Sequence, residues 1–394
     1  MRVLVNTLEL SPSGGIELHA LQVSRELASR GHVIDVVAQR DGVSRSEYET
    51  FANTVSVFGD FLHGPLSVEQ LRHPGTLVEW VRRVGYAVRS SRRLHPDVIY
   101  ANDQQSLMWA CATSRRPRVP IVCHLHGGVG RPIGVQRTIL ARRVATFIAP
   151  SGFIRDDWVG HGVPASWVEV IPQGVDPNVY PRATSESRNS ARRILGFPHE
   201  AFVAVFVGRI VPDKGIDVLI RAWERIGLPP ERGRLLIVGR PWPWSYLKYL
   251  RDIAPPTCLF MDMQTDVIPI LHAADVLVLP SLCEEAFGRV IIEAMATGCP
   301  AVASNVGGIP EVLTGRFASM LFERGNEEEL AARLLELQTW RRDEPELADA
   351  CVAHVTGLFN LASAVDRIEQ VLESSQAYGW RTGPSQRVGV PGLD

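Results

Sequence analysis

Lysine is almost missing from this chain. Among 41 basic residues only Lys214 and Lys248 are lysines; the rest are arginines, so an arginine means little by its type alone and a lysine somewhat more. An excess of positive charge is missing too: 41 basic against 43 acidic residues leave a formal net charge of −2. That excludes the global basic field most nucleic-acid binders carry, and no nucleic-acid partner is expected. No apolar run reaches about 18 residues, and Met1-Arg2-Val3-Leu4-Val5-Asn6 lacks a long apolar core and a small-residue cleavage site. The expectation is a cytoplasmic protein that does not span a membrane. The six cysteines contain no C-x-x-C. Most lie in apolar runs such as Ile121-Val122-Cys123 and Cys258-Leu259-Phe260, which reads as buried thiols in a reducing compartment.

What is present is ordinary globular material: 394 residues, 45% apolar and 21% charged. At roughly 150 residues per domain that suggests two domains. Short β-branched runs alternate with helical patterns. Val3 to Leu8 reads as a strand, Ser11 to Gly15 as a loop, Ile16 to Arg30 as a helix closed by Gly31, and Val33 to Ala38 as the next strand. Further strands are expected at Val98 to Tyr100, Ile121 to Leu125 and Thr146 to Ala149. From Gln173 to Asn189 the chain is polar and turn-rich, and reads as an interdomain linker.

The alternation then restarts. Strands are expected at Phe202 to Val207, Leu235 to Val238, Leu259 to Met261, Val276 to Leu279 and Ala301 to Ala303, with helices between them. The fold class is α/β, two doubly wound Rossmann-like domains with a cleft between them as the default ligand site. The expected division is 1–175, 190–345, a terminal helical stretch 346–375 and a loose tail 376–394.

Three segments carry chemistry. After strand Phe202 to Val207 comes Gly208-Arg209-Ile210-Val211-Pro212-Asp213-Lys214-Gly215, entering a helix. Two cations five residues apart, beside glycines and a helix N-terminus, suit a diphosphate; a solvated turn is the bland alternative. No G-K-[ST] occurs, so this is not a P-loop.

The second segment is Glu285-Ala286-Phe287-Gly288-Arg289-Val290-Ile291-Ile292-Glu293. Eight helical steps at 1.5 Å would span about 12 Å, too far for both carboxylates to serve one atom. That span fits the two ends of one nucleotide sugar. Glu285 would accept from hydroxyls of the transferred sugar and Glu293 from a ribose, with Gly288 facing phosphate at the helix start. Acidic residues satisfying a helix dipole are the alternative, which Glu284 fits better than Glu293 does. The third segment, Gly14-Gly15 after the first strand, permits close passage of a ligand or simply a turn.

Taken together, Gly208-Arg209-x4-Lys214-Gly215, Glu285-x7-Glu293 and Ala303-Ser304-Asn305-Val306-Gly307-Gly308-Ile309-Pro310-Glu311 resemble the retaining glycosyltransferases of family four, with the GT-B fold. Gly14-Gly15-Ile16-Glu17, Arg30-Gly31-His32 and His126-Gly127 agree with that. The resemblance spans roughly residues 1 to 375. It implies transfer of a hexosyl unit from a nucleotide diphosphate sugar, a UDP-sugar favoured over GDP-mannose, with anomeric configuration kept.

Arg209, Lys214, Glu285 and His126 are the implied catalytic residues. Gly15, Phe287, Gly288, Arg289 and Glu293 are the implied donor-binding residues. His126 would line the sugar pocket and Gly15 would face the phosphates. A terminal helix returning to the first domain is implied as well. Ala286 departs from the proline common in the family.

Asp-x-Asp, with which many glycosyltransferases hold a metal, is absent. Arg209, Lys214 and the helix N-termini must then stabilise the departing phosphate, with no metal and no cofactor expected. The acceptor, a small molecule, glycan or glycolipid, is expected on the first domain. Around Trp80 to Arg93 a helix carries Arg82, Arg83, Arg89, Arg92 and Arg93; a peripheral contact with anionic lipid is one use, a solvated face the other. His124 and His126 flank a strand end, but with no third ligand apparent a pocket-lining role for His126 is preferred to a metal pair. A nucleotide-sugar epimerase and a non-catalytic nucleotide-binding module are the rival readings. Oligomeric state is left open.

Overall fold

A computed structural model of the chain describes residues 1–11, 14–59, 74–114, 119–128 and 143–378. The chain divides into two compact units, one of Met1–Pro150, Ile154–Ile171 and the chain from Val365, the other of Ser151–Phe153 and Pro172–Ala364.

The first unit is built on seven strands: β1 (Arg2–Glu9), β2 (Val33–Arg40), β3 (Thr54–Val57), β4 (Val98–Ala101), β5 (Ile121–His124), β6 (Thr146–Ala149) and β7 (Val168–Val170). All pair in parallel, in the order β3-β2-β1-β4-β5-β6-β7. Helices cover both faces of such a sheet, so its strands are apolar almost throughout. Val3, Leu4, Val5, Val36, Val37, Ile99, Val122 and Ile148 are buried accordingly. Order reverses between β1 and β4, the topological switch point of a doubly wound sheet. After β1 the helix Gly15–Ser29 begins at Gly15 itself, with Gly14 as its N-cap. Gly15 is thus a helical residue, one position inside the loop expected to hold it.

The second unit repeats the plan with β8 (Phe202–Val207), β9 (Gly233–Val238), β10 (Cys258–Met261), β11 (Val276–Leu279), β12 (Ala301–Ser304) and β13 (Leu321–Phe322), all parallel, in the order β10-β9-β8-β11-β12-β13. Here the order reverses between β8 and β11. The sequence motifs follow those two strands.

Three expectations need correction. The segment read as a linker through Asn189 contains a helix, Ser185–Ile194, opened by a capping box in which Thr184 and Ser187 satisfy each other's backbone N–H groups. Its buried face is Ala191 and Arg192, and the Arg192 guanidinium takes the place a leucine would normally fill. Arg192 Nη2 donates to Asp275 at 2.6 Å, joined by Arg188 at 2.9 Å, Arg341 at 2.6 Å and the Val203 N–H at 2.9 Å. A buried charge cluster therefore pins this polar helix to the start of β8.

The tail was expected from 376, but the helix Leu361–Tyr378 runs past it; residues 379–394 lie outside the described ones. The terminal helical stretch is two helices, Leu347–Leu358 and Leu361–Tyr378, broken where Val175 pairs with Asn360. From Val365 the second of them clusters with the first unit, where Arg30 donates to Asp366 at 2.6 Å and to Glu369 at 2.8 Å. In the arginine-bearing helix Pro74–Arg93, Arg82 and Arg89 are exposed. Arg92 instead caps a neighbouring helix, donating to Ala112 O at 2.6 Å and Thr113 O at 3.1 Å. The Arg83 side chain lies outside the described residues.

All six cysteines are free; five are buried and Cys283 is half-buried. Among the described residues no helix is long and apolar enough to cross a membrane.

Candidate functional site

The loop after β8 descends through Gly208-Arg209 into a short turn, Pro212–Lys214, and then into the helix Ile216–Ile226. Gly215 is what lets it reach the loop after β11. A Cβ on Gly215 would sit 2.1 Å from the Pro280 carbonyl oxygen, and its φ of +63° is left-handed. No other residue fits there without moving a backbone. Asp213 O then accepts the Leu282 N–H at 2.8 Å, which locks the two loops together.

With the loops joined, Lys214 and Glu285 meet, although 71 residues separate them. The Lys214 ammonium pairs with Glu285 Oε1, and the Ser281 hydroxyl donates to the same oxygen. Both side chains are mostly buried, 17% and 15% exposed. Cys283 lies alongside: burial, and then Glu285, push its thiol above the usual range. Arg209 is exposed and makes no ion pair among the described residues. One cation is thus tethered, and the other is exposed without an ion pair among the described residues.

The helix Arg289–Ala296 opens at Gly288, whose φ of +92° is again left-handed. A β-carbon there would be strained whatever the space around it. This end of the helix carries unsatisfied N–H groups and partial positive charge, and it faces the same loop system as Lys214. The segment after β12 closes against it, with the Gly308 N–H donating to Glu285 O at 2.8 Å. Ser151 Oγ donates to Ala286 O at 2.7 Å. Glu311 accepts from the Gly152 and Phe153 N–H groups at 2.7 and 2.8 Å.

Phe287, Arg289 and Glu293, also expected at the site, are buried. The Phe287 ring is 3% exposed and packs edge-on to Phe359, with centroids 5.5 Å apart; it anchors its loop to the core. Arg289 and Glu293, 8% and 7% exposed, form an i,i+4 pair at 2.7 Å. Buried Tyr180 has its phenol pushed above the usual range by burial and by Glu293. Glu293 is therefore already oriented by neighbours, as a carboxylate that must present an oxygen reproducibly should be. Arg289 is its partner before it is anything else. Glu284 is exposed and paired with Arg324 at 3.3 Å, consistent with a surface role.

In the first unit, His126 follows β5 and stacks on His124, ring planes 9° apart with centroids at 4.6 Å. A third histidine, missed by the sequence reading, joins them: His19 from the helix Gly15–Ser29, its Nε2 3.3 Å from His124 Nδ1. His19 thus stands where the sequence made no third histidine apparent. His19 sits 105 residues from His124 and inside an amphipathic helix, so spacing alone gave no sign of it. Burial holds His124 well below its ordinary value, leaving it neutral.

Known proteins show the same organisation. A family model described as Glycosyltransferase Family 4 matches residues 13–179, and one described as Glycosyl transferases group 1 matches residues 201–339. A D-inositol 3-phosphate glycosyltransferase of Corynebacterium efficiens is 28% identical over 351 residues, covering 79% of this chain and 80% of the relative. The structure of Anabaena Alr3699/HepE in complex with UDP and glucose superposes with a TM-score of 0.79 at 25% identity, over 95% of this chain and 100% of that one. Sucrose-phosphate synthase from Thermosynechococcus elongatus shares the fold, with a TM-score of 0.75 at 20% identity over 96% of this chain and 99% of its own.

Proposed function

This chain belongs to glycosyltransferase family 4, with the GT-B fold, and we propose that it moves a hexosyl unit from a nucleotide diphosphate sugar to an acceptor hydroxyl, keeping the anomeric configuration and using no metal. The observation that carries this reading is the meeting of Lys214 with Glu285 at the β8–β11 switch point. A UDP-sugar is favoured over GDP-mannose; the bound UDP and glucose of the HepE structure support that choice.

The chemistry follows from charge. As the sugar–diphosphate bond breaks, the departing phosphate gains negative charge, and preorganised cations and N–H groups lower that barrier. Arg209 offers a planar fork of donors. The Lys214 ammonium has three protons, so its bond to Glu285 leaves two for phosphate oxygens. The N-termini of the helices Ile216–Ile226 and Arg289–Ala296 add partial positive charge.

Glu285, held by Lys214 and Ser281, is suited to accepting from hydroxyls of the transferred sugar rather than to attacking its anomeric carbon. Same-face attack by the acceptor, its proton passing to the leaving phosphate, then accounts for retention. The test is turnover after exhaustive EDTA treatment, with the anomeric configuration of the product read by NMR. Undiminished rate and a retained configuration are expected; a magnesium-reversible loss of all turnover, or an inverted product, would contradict the proposal.

The two carboxylates are assigned different ends of the donor. Glu293→Gln is expected to weaken free nucleoside diphosphate by about 1.5–3 kcal/mol, through loss of charge-assisted hydrogen bonds to the ribose. Glu285→Gln should leave free nucleotide affinity intact and lower turnover of the whole donor. Calorimetric titration of the diphosphate into both variants decides it; equal losses would reverse the assignment.

A further inference from the structure

The stretch Gln173 to Ala183, expected as linker, is fastened to the second unit from Gly174 onward. A Cβ on Gly174 would stand 2.4 Å from Leu361 Cα, so a residue without a side chain is needed where the chain passes the break between the two terminal helices. Val175 is held there on both sides: its N–H donates to Phe359 O at 2.8 Å and its carbonyl accepts the Leu361 N–H at 3.1 Å. The chain then folds back on Asp176. The Asp176 side chain accepts the Asn178 N–H at 2.8 Å, and its carbonyl accepts the N–H groups of Val179 and Tyr180, both at 3.0 Å. Just beyond, His272 Nε2 donates to Pro181 O at 2.9 Å. The Ala183 N–H donates at 2.9 Å to the carbonyl of Thr297, the residue that ends the helix carrying Glu293.

Tyr180 stands between these fixed points, 5% exposed. Its hydroxyl donates to Glu293 and accepts from Arg289, and Arg289 Nε donates to Glu293 Oε1 at 2.7 Å. The three side chains close a ring of hydrogen bonds. A carboxylate offers about four lone-pair sites; Arg289 and Tyr180 occupy part of them, and the rest are left for a ligand.

We propose that Tyr180 is a positioning residue for the ribose of the donor: its hydroxyl, together with the Arg289 guanidinium, holds the Glu293 carboxylate at the angle where its remaining lone pairs meet the 2′- and 3′-hydroxyls at once. The role rests on the assignment of Glu293 to the ribose. The last torsion of a glutamate is broad, so Arg289 on one oxygen leaves the carboxylate free to swing. A second donor, on a ring clamped through its own backbone, removes that freedom before the nucleotide arrives. A site already in its bound geometry loses less on binding. Selectivity follows. A fixed acceptor left unpaired by a missing hydroxyl costs affinity, whereas a swinging one finds another partner. Tyr180 therefore controls how strongly the site prefers a ribonucleotide to its 2′-deoxy counterpart.

Calorimetric titration of UDP, GDP and their 2′-deoxy forms into the full chain reads this preference. The wild type is expected to bind the favoured ribonucleotide about tenfold or more tighter than its 2′-deoxy form. Tyr180→Phe keeps the ring and its packing. It should weaken the ribonucleotide severalfold, leave the 2′-deoxy form nearly unchanged and so reduce the preference to about threefold or less. Glu293→Gln should reduce it too, and Tyr249→Phe, on an exposed tyrosine of the helix Trp244–Ile253, should not. Denaturant unfolding of the same proteins supplies the structural control. A wild-type preference in Tyr180→Phe, with or without a loss of stability, would overturn the positioning role while leaving Glu293 on the ribose. A preference reduced by Tyr180→Phe but untouched by Glu293→Gln would overturn it as well, since the phenol would then act without the carboxylate. Failure of the wild type to bind any of these nucleotides, or equal binding of ribo- and deoxyribonucleotide, would contradict the donor assignment itself, and the positioning role with it.

Discussion

Arg209→Ala and Lys214→Ala are each expected to lower kcat by about 10²-fold or more, on the order of 3 kcal/mol, with a smaller loss of donor affinity. The split follows from where the charge grows. Bound donor already carries a diphosphate, but the bond-breaking transition state adds negative charge to it, and only interactions that strengthen there raise kcat.

The two substitutions are not equivalent structurally. Arg209 is exposed and unpaired among the described residues, so its removal should leave the fold untouched and read the electrostatic effect cleanly. Removing Lys214 also strips Glu285 of its cation, leaving Ser281 as the partner of that oxygen among the described residues, so part of its loss is a misplaced carboxylate. Lys214→Arg should rescue incompletely, because a broad guanidinium does not fit where a compact ammonium sits beside Gly215 and the Pro280 carbonyl. Steady-state kinetics on folded variants, confirmed by circular dichroism, checks this. Values of kcat within about threefold of wild type would mean that the β8 loop is a surface turn.

Asp275→Ala is expected to destabilise the second unit by about 3–5 kcal/mol. Asp275 is 5% exposed and Arg192 1%, so truncating the carboxylate leaves a buried guanidinium uncompensated. The same cluster sets an acid limit. Burial pushes the Asp275 carboxyl up, but Arg192, Arg188 and Arg341 outweigh it and hold it below the usual range. A carboxylate with a lowered native pKa contributes stability that is present above its unfolded value, about 3.9, and lost as pH falls through the lower native one. Denaturant unfolding across pH should therefore show wild-type stability declining below about pH 4. Asp275→Asn should start lower and decline less steeply. Equal acid slopes in the two proteins would remove Asp275 from this role.

The cluster also shows what the sequence concealed. β8, β11 and the helix Ile216–Ile226 were legible to the residue, because an unbroken apolar run or a strong apolar face marks each. The helix Ser185–Ile194 was not, because the larger of its two buried residues is an arginine and no apolar periodicity announces it. Its one signal was Thr184-x-x-Ser187, a capping box with serine in place of the usual glutamate. Lys214 and Glu285 were each singled out by their motifs, but not as partners. Their meeting depends on strand order and on the Gly215–Pro280 approach, which alternation of strands and helices does not specify. Phe287 was legible as part of a motif, and only packing against Phe359 shows that its ring faces the core. His19 escaped because one histidine in a helix looks like any other until a strand 105 residues away is placed beside it.

The central claim is that the crevice outside β8 and β11 holds a nucleoside diphosphate. Calorimetric titration of UDP and GDP into the wild type, Arg209→Ala and Lys248→Ala tests it most directly, since Lys248 is an exposed lysine on the helix Trp244–Ile253 in loose contact with Asp252. The account predicts saturable one-to-one binding of one of the two nucleotides, weakened severalfold by Arg209→Ala and unchanged by Lys248→Ala. Absence of binding by both nucleotides, or equal binding by all three proteins, would contradict it.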